Sequence, residues 1–508
     1  MKNYLKIYFW QIISIAFSFA SVFVVTPYIS SDKSLYGVYT VVMAAYLFIS
    51  YADFGFLGAG MKYACECFAK KEQKEEIEII GFSGAVFFAF VFLFSITMFV
   101  FAVNPNYIIS NFDNLKEQNI ASDLFFYMGV FCPVFVLQRI IQIIYGVRLK
   151  DYVFQKILII SNVIKISSAF YFFRDGNYQI VEYFVFTQIC SLSASLFGLY
   201  TLKKKEKYDV VYLFNSFKFS KKLFIKTKRL AFSSIFLTIS WIFFYEIDPF
   251  VIGKFIGVKE VALYAIGLTI MSYFRVVFGV LYTPFIAKMN YFIGLKDDEG
   301  LKVFVVKILK LFIPITVFPV IAVFFSLNIF VINWVGKEYE TSVHIIQFLV
   351  LSHLFSFIIS PIGILIMAQE KVKKLYFNSI IEPLIYWIGV ITTISILGLQ
   401  SFAIFKFVAI FFTAIYYISI LLNYLGMKLF TFLQELILPA IIPVIIIIFT
   451  VLIFKSYFPL GQSIRNLLIY FSLIGVVVLF GTVIYYWTSK QFRDTINSIL
   501  FKIKFRFN

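Results

Sequence analysis

Eight ionisable side chains lie inside long apolar stretches of the chain, where a charge needs a partner or a water-filled cavity. A guanidinium group can bind two phosphate oxygens at once, and a carboxyl group in apolar surroundings can exchange a proton. The basic set therefore predicts binding of an anion, and the acidic set predicts ion coupling. The basic residues are Arg139, Lys165, Arg275 and Lys406, and the acidic residues are Asp53, Glu246, Asp248 and Glu382.

Several of these residues have a second interpretation. Arg139 is flanked by Gln138 and Gln142, which share a helix face, but it is close enough to a helix end to snorkel or to pair with an acid. Asp248 precedes Pro249 and could simply end a helical turn. Each buried acid could equally be the counter-ion of a buried Lys or Arg.

The composition indicates that lipid, and not water, surrounds most of the chain. Of 508 residues 61% are hydrophobic and 14% are charged, and 68 are Phe. A water-soluble fold of this size could not bury that much apolar surface. The net charge of +18 does not indicate nucleic-acid binding, because the basic residues form short runs between apolar stretches.

Apolar runs long enough to cross a bilayer predict about fourteen transmembrane helices. Helices are required because lipid cannot satisfy an exposed backbone, and the runs lack the alternation of a membrane barrel. The predicted spans, numbered 1 to 14, are 6–28, 37–61, 77–102, 122–146, 157–173, 181–201, 230–252, 261–287, 308–331, 342–368, 377–398, 401–426, 435–454 and 466–488.

The distribution of basic residues predicts the orientation. Of the 45 Lys and Arg residues, 33 fall in segments on the side of both termini and eight in segments on the opposite side. Basic residues accumulate on the cytoplasmic side, so both termini are predicted to be cytoplasmic.

The sequence contains no clear pattern of a metal, redox or nucleotide site. His344 and His353 are nine residues apart and do not share a helix face, and Cys65 and Cys67 lack the two-residue spacer of common metal pairs. No glycine-rich phosphate loop is present, so we expect neither a metal nor a cofactor, and we expect an ion gradient, the membrane potential or the substrate gradient to drive any transport.

A short internal similarity suggests two parallel repeats. Residues 34–39 (SLYGVY) resemble residues 259–264 (KEVALY), and each stretch follows a span that starts on the inside. A six-helix unit preserves orientation, so the repeats would be parallel. We therefore predict a lobe at 1–201, a basic cytoplasmic linker at 202–229, a second lobe at 230–426, and two helices with a basic tail at 427–508.

The order and spacing of several motifs resemble the polysaccharide flippases (O-antigen, Wzx type) of the superfamily that also contains multidrug extruders and lipid II flippases. The motifs are 26–29 (TPYI), 35–39 (LYGVY), 52–56 (ADFGF), 248–257 (DPFVIGKFIG) followed by Tyr264, 334–339 (WVGKEY) and 366–371 (IMAQEK). The resemblance covers most of the chain and implies two six-helix lobes around a central cavity with two additional C-terminal helices.

The resemblance implies transport of an undecaprenyl-pyrophosphate-linked oligosaccharide, an O-antigen or capsule repeat unit, across the bacterial cytoplasmic membrane by alternating access. The substrate ligands would be Arg139, Arg275, Lys165, Lys406, Gln138 and Gln142, and the coupling residues would be Asp53, Asp248, Glu382 and Glu246. The chain would act as a monomer among membrane lipids, with a polysaccharide polymerase and a chain-length regulator as further partners. No nucleic-acid partner and no enzymatic activity are expected.

Two alternatives remain open at this point. A drug/cation antiporter of the same superfamily would have a net acidic cavity. The spans contain four basic and four acidic residues, so this count does not distinguish an antiporter from a flippase. A membrane oligosaccharide polymerase or glycosyltransferase would need a large outer loop with an acid/base pair. The longest outer segment, 103–121, contains Asp113 and Glu117 but no clear pair.

Overall fold

A computed structural model describes residues 2–51, 53, 55–174 and 178–497, and these residues form helices without any strand. The predicted basic tail beyond residue 497, and Ala52 and Phe54 of an early motif, lie outside the described residues. The α-helices are α1 (Lys2–Ile29), α2 (Lys33–Ile49), α3 (Phe56–Ala69), α4 (Gln73–Val103), α5 (Leu115–Val147), α6 (Asp151–Phe172), α7 (Ile180–Lys205), α8 (Val210–Asn215), α9 (Lys221–Tyr245), α10 (Asp248–Phe255), α11 (Val258–Gly294), α12 (Asp298–Phe312), α13 (Phe318–Val335), α14 (Val343–Leu351), α15 (Ser356–Ala368), α16 (Val372–Leu397), α17 (Gln400–Leu425), α18 (Leu429–Phe432), α19 (Leu438–Tyr457) and α20 (Ile464–Thr488).

The all-helical membrane fold is confirmed. Within the described chain, 12 helices are long and apolar enough to cross a membrane, or 13 if the bent pair α9 and α10 counts as one span. Two of the spans contain a π-helical turn, at Ile313–Val317 between α12 and α13 and at Leu433–Ile437 between α18 and α19. Helices predominate because each satisfies its own backbone hydrogen bonds in lipid.

The prediction of one continuous helix over 37–61 is wrong. Helix α2 ends at Ile49 and α3 begins at Phe56, so span 2 consists of two shorter helices. Gly55 lies between them with a φ of 77°, a left-handed conformation that interrupts an α-helix and that glycine adopts without strain. Apolar composition alone does not reveal this interruption.

The predicted span 7 is also interrupted. Helix α9 ends at Tyr245, α10 begins at Asp248, and the two helix axes differ by 42°. Pro249 lies in the first turn of α10, where its missing N–H removes no hydrogen bond. The bend therefore lies where the local sequence permits it.

The chain contains two compact units, Met1–Ala262 and Leu263–Asn508, and the division falls within α11. In the first unit α9 packs against α3 and α10 packs against α2. The stretch 202–229 contains the end of α7, the short α8 and the start of α9. The predicted lobe boundary in that stretch stays a prediction.

Helix α2 and the start of α11 approach each other closely within the first unit. A Cβ placed on Gly37 would lie 1.9 Å from the carbonyl oxygen of Val258. Nearby, the Lys259 ammonium is 2.6 Å from a carboxylate oxygen of Asp113, which also accepts a hydrogen bond from the Ser34 hydroxyl. The glycine of the 34–39 motif is therefore needed for backbone packing.

A buried ion pair joins α4 to the end of α5. The Arg148 guanidinium donates to both carboxylate oxygens of Glu76, at 2.6 and 3.1 Å, and the side chains are only 8% and 1% exposed. The guanidinium also lies over the rings of Tyr208, at 4.6 Å, and Phe68, at 5.3 Å. This cluster fixes the short turn that connects α5 to α6.

Candidate functional site

A polar cavity of about 410 Å³ lies in the first unit between α3, α5 and α6. Its polar lining is Asp53, Arg139, Gln142, Asp151 and Gln155, and the remaining walls are mostly apolar. Three of the residues predicted from the sequence, Asp53, Arg139 and Gln142, are thus brought together here. They come from two separate predicted spans.

Helix α5 positions the cation of this cavity. Arg139 lies about 12 Å along the helix axis before α5 ends at Val147, so its side chain is inside the predicted span. One guanidinium nitrogen donates to Gln142 Oε1 at 3.3 Å, across one helical turn. Among the residues that the structure describes, Arg139 forms no ion pair within 4.0 Å, so its other donors remain available for a ligand.

Asp53 lies opposite this cation, just before α3 begins. Its carboxylate lies near the backbone N–H groups of Gly55 and Leu57 and interacts electrostatically with Arg139. A helix N-terminus carries a partial positive charge and favours a carboxylate at this position. The break in span 2 therefore places an acid at a helix start in the middle of an apolar stretch.

The other two polar residues, Asp151 and Gln155, were not predicted. They lie on the first two turns of α6, four residues apart and therefore on one face. Gln155 Oε1 is buried and has no hydrogen-bond partner among the described residues. An i,i+4 polar pair at the edge of an apolar run was the available signal, and it is the same signal that pointed to Gln138 and Gln142.

The cavity can hold a polar ligand with both donors and acceptors. Arg139 and the amide nitrogens donate, whereas Asp53, Asp151 and the amide oxygens accept. The formal charge is one positive against two negative groups. Both carboxylates lie at helix N-termini, each of which contributes roughly half a positive charge, so the effective charge is close to neutral.

The other predicted residues of the first unit are outside this cavity. Lys165 donates from α6 to the Ser191 hydroxyl on α7 at 2.7 Å. Glu246 accepts at 3.1 Å from the Tyr51 hydroxyl, which in turn accepts at 3.0 Å from the Trp241 indole N–H. Asp248 is fully buried at the start of α10, and Gln138 is partly exposed and does not line the cavity.

A second polar cluster lies in the second unit between α16 and α17. The Glu382 carboxylate accepts from the Asn378 amide at 3.2 Å, and the Asn378 carbonyl accepts from Thr413 at 3.0 Å. Lys406 is fully buried, interacts electrostatically with Glu382, and places its ammonium 5.0 Å from the Tyr386 ring centre. The acid and the base predicted on neighbouring spans therefore belong to one cluster.

Arg275 lies on α11 in the second unit. It interacts electrostatically with His353, which is packed against the rings of Phe274 and Phe278. His344 is 3.2 Å from Gln347 on the exposed side of α14, so the two histidines do not share a site.

One group of side chains in the described chain has atoms close enough to share a metal ion. The ligand atoms of Cys67, Glu72 and Glu75 lie within 4.8 Å of one another. The Lys226 ammonium is 3.1 Å from Glu75, so a cationic group already occupies this position.

No protein-family model and no curated protein matches the sequence. Solved structures do match. The lipid II flippase MurJ in an inward closed conformation gives a TM-score of 0.70 at 16% identity, covering 97% of this chain and 99% of that protein. An inward-facing multidrug resistance MATE family transporter of the MOP superfamily gives 0.65 at 12% identity, covering 81% and 94%.

A third match is a MOP superfamily transporter from Pyrococcus furiosus whose binding pocket is described as reversed in polarity. It gives a TM-score of 0.56 at 12% identity and covers 84% of this chain and 96% of that protein. These three proteins are described as a flippase and two transporters. The chain thus has the fold of MOP superfamily transporters.

Proposed function

We propose that the chain is a flippase that moves an undecaprenyl-pyrophosphate-linked oligosaccharide across the bacterial cytoplasmic membrane by alternating access. The observation that carries the proposal is the polar cavity of the first unit, whose lining combines the Arg139 guanidinium with the amides of Gln142 and Gln155 and the carboxylates of Asp53 and Asp151. A pyrophosphate needs a forked cation, and sugar hydroxyls need amide donors and acceptors.

The extent of the fold similarity supports a flippase over a multidrug transporter. The likeness to the lipid II flippase extends over 97% of the chain, whereas the two other matches leave 16–19% of it uncovered. Lipid II is the cargo named for the protein that accounts for nearly the whole length. An O-antigen or capsule repeat unit is a related cargo and agrees with the sequence motifs.

The proposal gives the remaining charges separate roles. Arg139 and Gln142, with Gln155, would bind the headgroup first, and Gln138, Lys165, Arg275 and Lys406 would contribute later in the cycle. Ion coupling would involve Asp53 and Glu382, each of which lies beside a basic residue, with Asp248 and Glu246 as further candidates. Lipids surround the protein, which is proposed to be monomeric, with both termini in the cytoplasm and with a polymerase and a chain-length regulator as partners.

The test is complementation of a strain that lacks the gene. Arg139→Ala and Arg275→Ala should each abolish surface polysaccharide while the membrane level of the protein stays normal. Arg139→Lys should restore only part of the activity, because an ammonium cannot form the forked contact. Arg465→Ala, which removes an exposed guanidinium at the start of α20, is the matched control. Normal polysaccharide in both Arg→Ala variants contradicts the proposed headgroup site.

Coupling is tested separately in proteoliposomes. Transport should depend on an imposed pH gradient and should lose this dependence in Glu382→Gln. If transport by the wild type does not depend on the imposed pH gradient, Asp53 and Glu382 are not proton carriers.

A drug/cation antiporter is the second candidate, and the formal charge of the cavity favours it, since Asp53 and Asp151 outnumber Arg139. Under this alternative Arg139→Ala increases efflux of a cationic dye, and Asp53→Asn abolishes it. Under the flippase proposal neither variant changes dye efflux.

A further inference from the structure

An apolar pocket of about 360 Å³ lies in the first unit on another side of α3, between α3, α4 and α9. Aromatic rings dominate its walls, and small residues of α4 leave the space open. The main lining residues are Phe56, Phe219, Phe224 and Phe232, with Ala85 and Ala89 on the α4 side. Phe219 and Phe232 are 66% and 54% exposed, so the pocket opens to the surroundings of the protein.

The exposed face of α9 changes from basic to apolar beside this pocket. The basic part comprises Lys221, Lys222, Lys228 and Arg229, all of which are exposed. One turn later the same face continues with Phe232 and Phe236, which are also exposed. Lys and Arg lie at the level of the lipid headgroups and exposed Phe at the level of the chains. The change therefore places the pocket immediately below the headgroups.

The positive charge at this level is not cancelled by the neighbouring acids. Residues 216–229 contain six basic and no acidic residues. The nearby acids on α4 already have partners: Glu75 pairs with Lys226, Glu76 pairs with Arg148, and Glu78 accepts from Tyr212. Exposed cations at 218–229 therefore remain next to an apolar pocket.

We propose that this pocket binds an anionic phospholipid of the surrounding leaflet, with one acyl chain between the Phe rings and the phosphate at Lys221 and Lys222. The cations beside the pocket opening would attract the lipid phosphate, and the apolar walls would bury the acyl chain. A bulk phospholipid is the occupant because the pocket opens directly to the bilayer, where phospholipids are in large excess and occupy a site by mass action. This inference does not depend on the proposed transport activity.

The test is lipid binding to the purified protein, measured by native mass spectrometry with phosphatidylglycerol and with phosphatidylcholine of identical chains. The wild type should retain phosphatidylglycerol more strongly. The double variant Lys221→Gln/Lys222→Gln should weaken the binding of phosphatidylglycerol on the order of 25-fold, about fivefold for each cation removed. The binding of phosphatidylcholine should stay nearly unchanged. Lys203→Gln/Lys205→Gln removes the same charge from exposed positions at the end of α7 and should have no effect.

A second variant tests the chain site independently of charge. Ala89→Phe fills the pocket from α4. It should weaken the binding of both lipids by about fourfold for each acyl-chain methylene group that it displaces from the pocket. Phe232→Ser opens the pocket from α9 and should weaken the binding of both lipids as well. The test therefore stays decisive if one of the two variants folds poorly.

Three results would overturn the proposal. One is equal retention of the two lipids by the wild type. Another is wild-type binding by folded Ala89→Phe and Phe232→Ser. The third is displacement of phosphatidylglycerol by an equal concentration of undecaprenyl phosphate, which would identify a polyprenyl lipid as the occupant.

Discussion

The buried pair of Glu76 and Arg148 allows a quantitative prediction about stability. Glu76→Leu leaves a guanidinium that is almost entirely buried without its carboxylate, and Arg148→Met leaves the reverse. Removing one partner of a buried pair costs about 3–5 kcal/mol, because the remaining charge stays desolvated. The Arg148 variant also loses the ring contacts to Tyr208 and Phe68, so it should be the more destabilised of the two.

The double variant Glu76→Leu/Arg148→Met leaves no uncompensated charge. We expect it to be destabilised no more than either single variant, which corresponds to a coupling energy of at least about 3 kcal/mol. The measurement is the free energy of unfolding during SDS titration in mixed micelles. Glu299→Gln, which breaks an exposed contact of 2.9 Å to Lys302, is the control and should have no measurable effect.

Additivity would refute this reasoning. If the two single changes add in the double variant to within about 0.5 kcal/mol, the side chains do not interact in the way that their distances indicate. The same conclusion follows if both single variants are as stable as the wild type.

Three other predictions concern single positions. Gly37→Ala should destabilise the protein by about 1–3 kcal/mol in the same titration, because its Cβ meets the Val258 carbonyl, whereas Gly475→Ala, with open space around its Cβ, should be neutral. The hydrogen bond from Lys259 holds the pKa of Asp113 below its ordinary value, so this pair stabilises the fold above about pH 4 and the contribution disappears as the pH falls through the lower folded pKa. The melting temperature of the wild type should therefore exceed that of Asp113→Asn by a constant amount between about pH 5 and 7, and an equal difference at pH 3 would contradict this sign. A reporter fused after residue 215 should be cytoplasmic, and a periplasmic signal there would overturn the predicted orientation.

Most of the spans were predictable from the sequence because lipid imposes one requirement, apolar length, on every crossing helix. The interruption at Gly55 was not predictable in this way, since an isolated glycine is common in membrane helices. The bend before Pro249 had a recognisable local signal, the Asp248-Pro249 pair, although that signal does not give the angle.

The candidate site was predictable only in part. Hydropathy identifies a charge such as Arg139 as exceptional, but it does not reveal which helices face one another. The sequence therefore could not separate Arg139 and Asp53, which line one cavity, from Lys165, which donates to Ser191. Asp151 and Gln155 were missed because they lie at a helix start, where polar residues are expected anyway.

The bend between α9 and α10 determines how this span fits the thickness of a bilayer. From Arg229 to Tyr245 the straight helix rises about 24 Å, which is shorter than a hydrocarbon core of about 30 Å. Helix α10, inclined by 42°, adds roughly 9 Å in the same direction and completes the crossing. The inclined segment thus supplies about a quarter of the crossing, and a thicker or thinner membrane would change the angle at Glu246 and Ile247 before it changed the rest of the span.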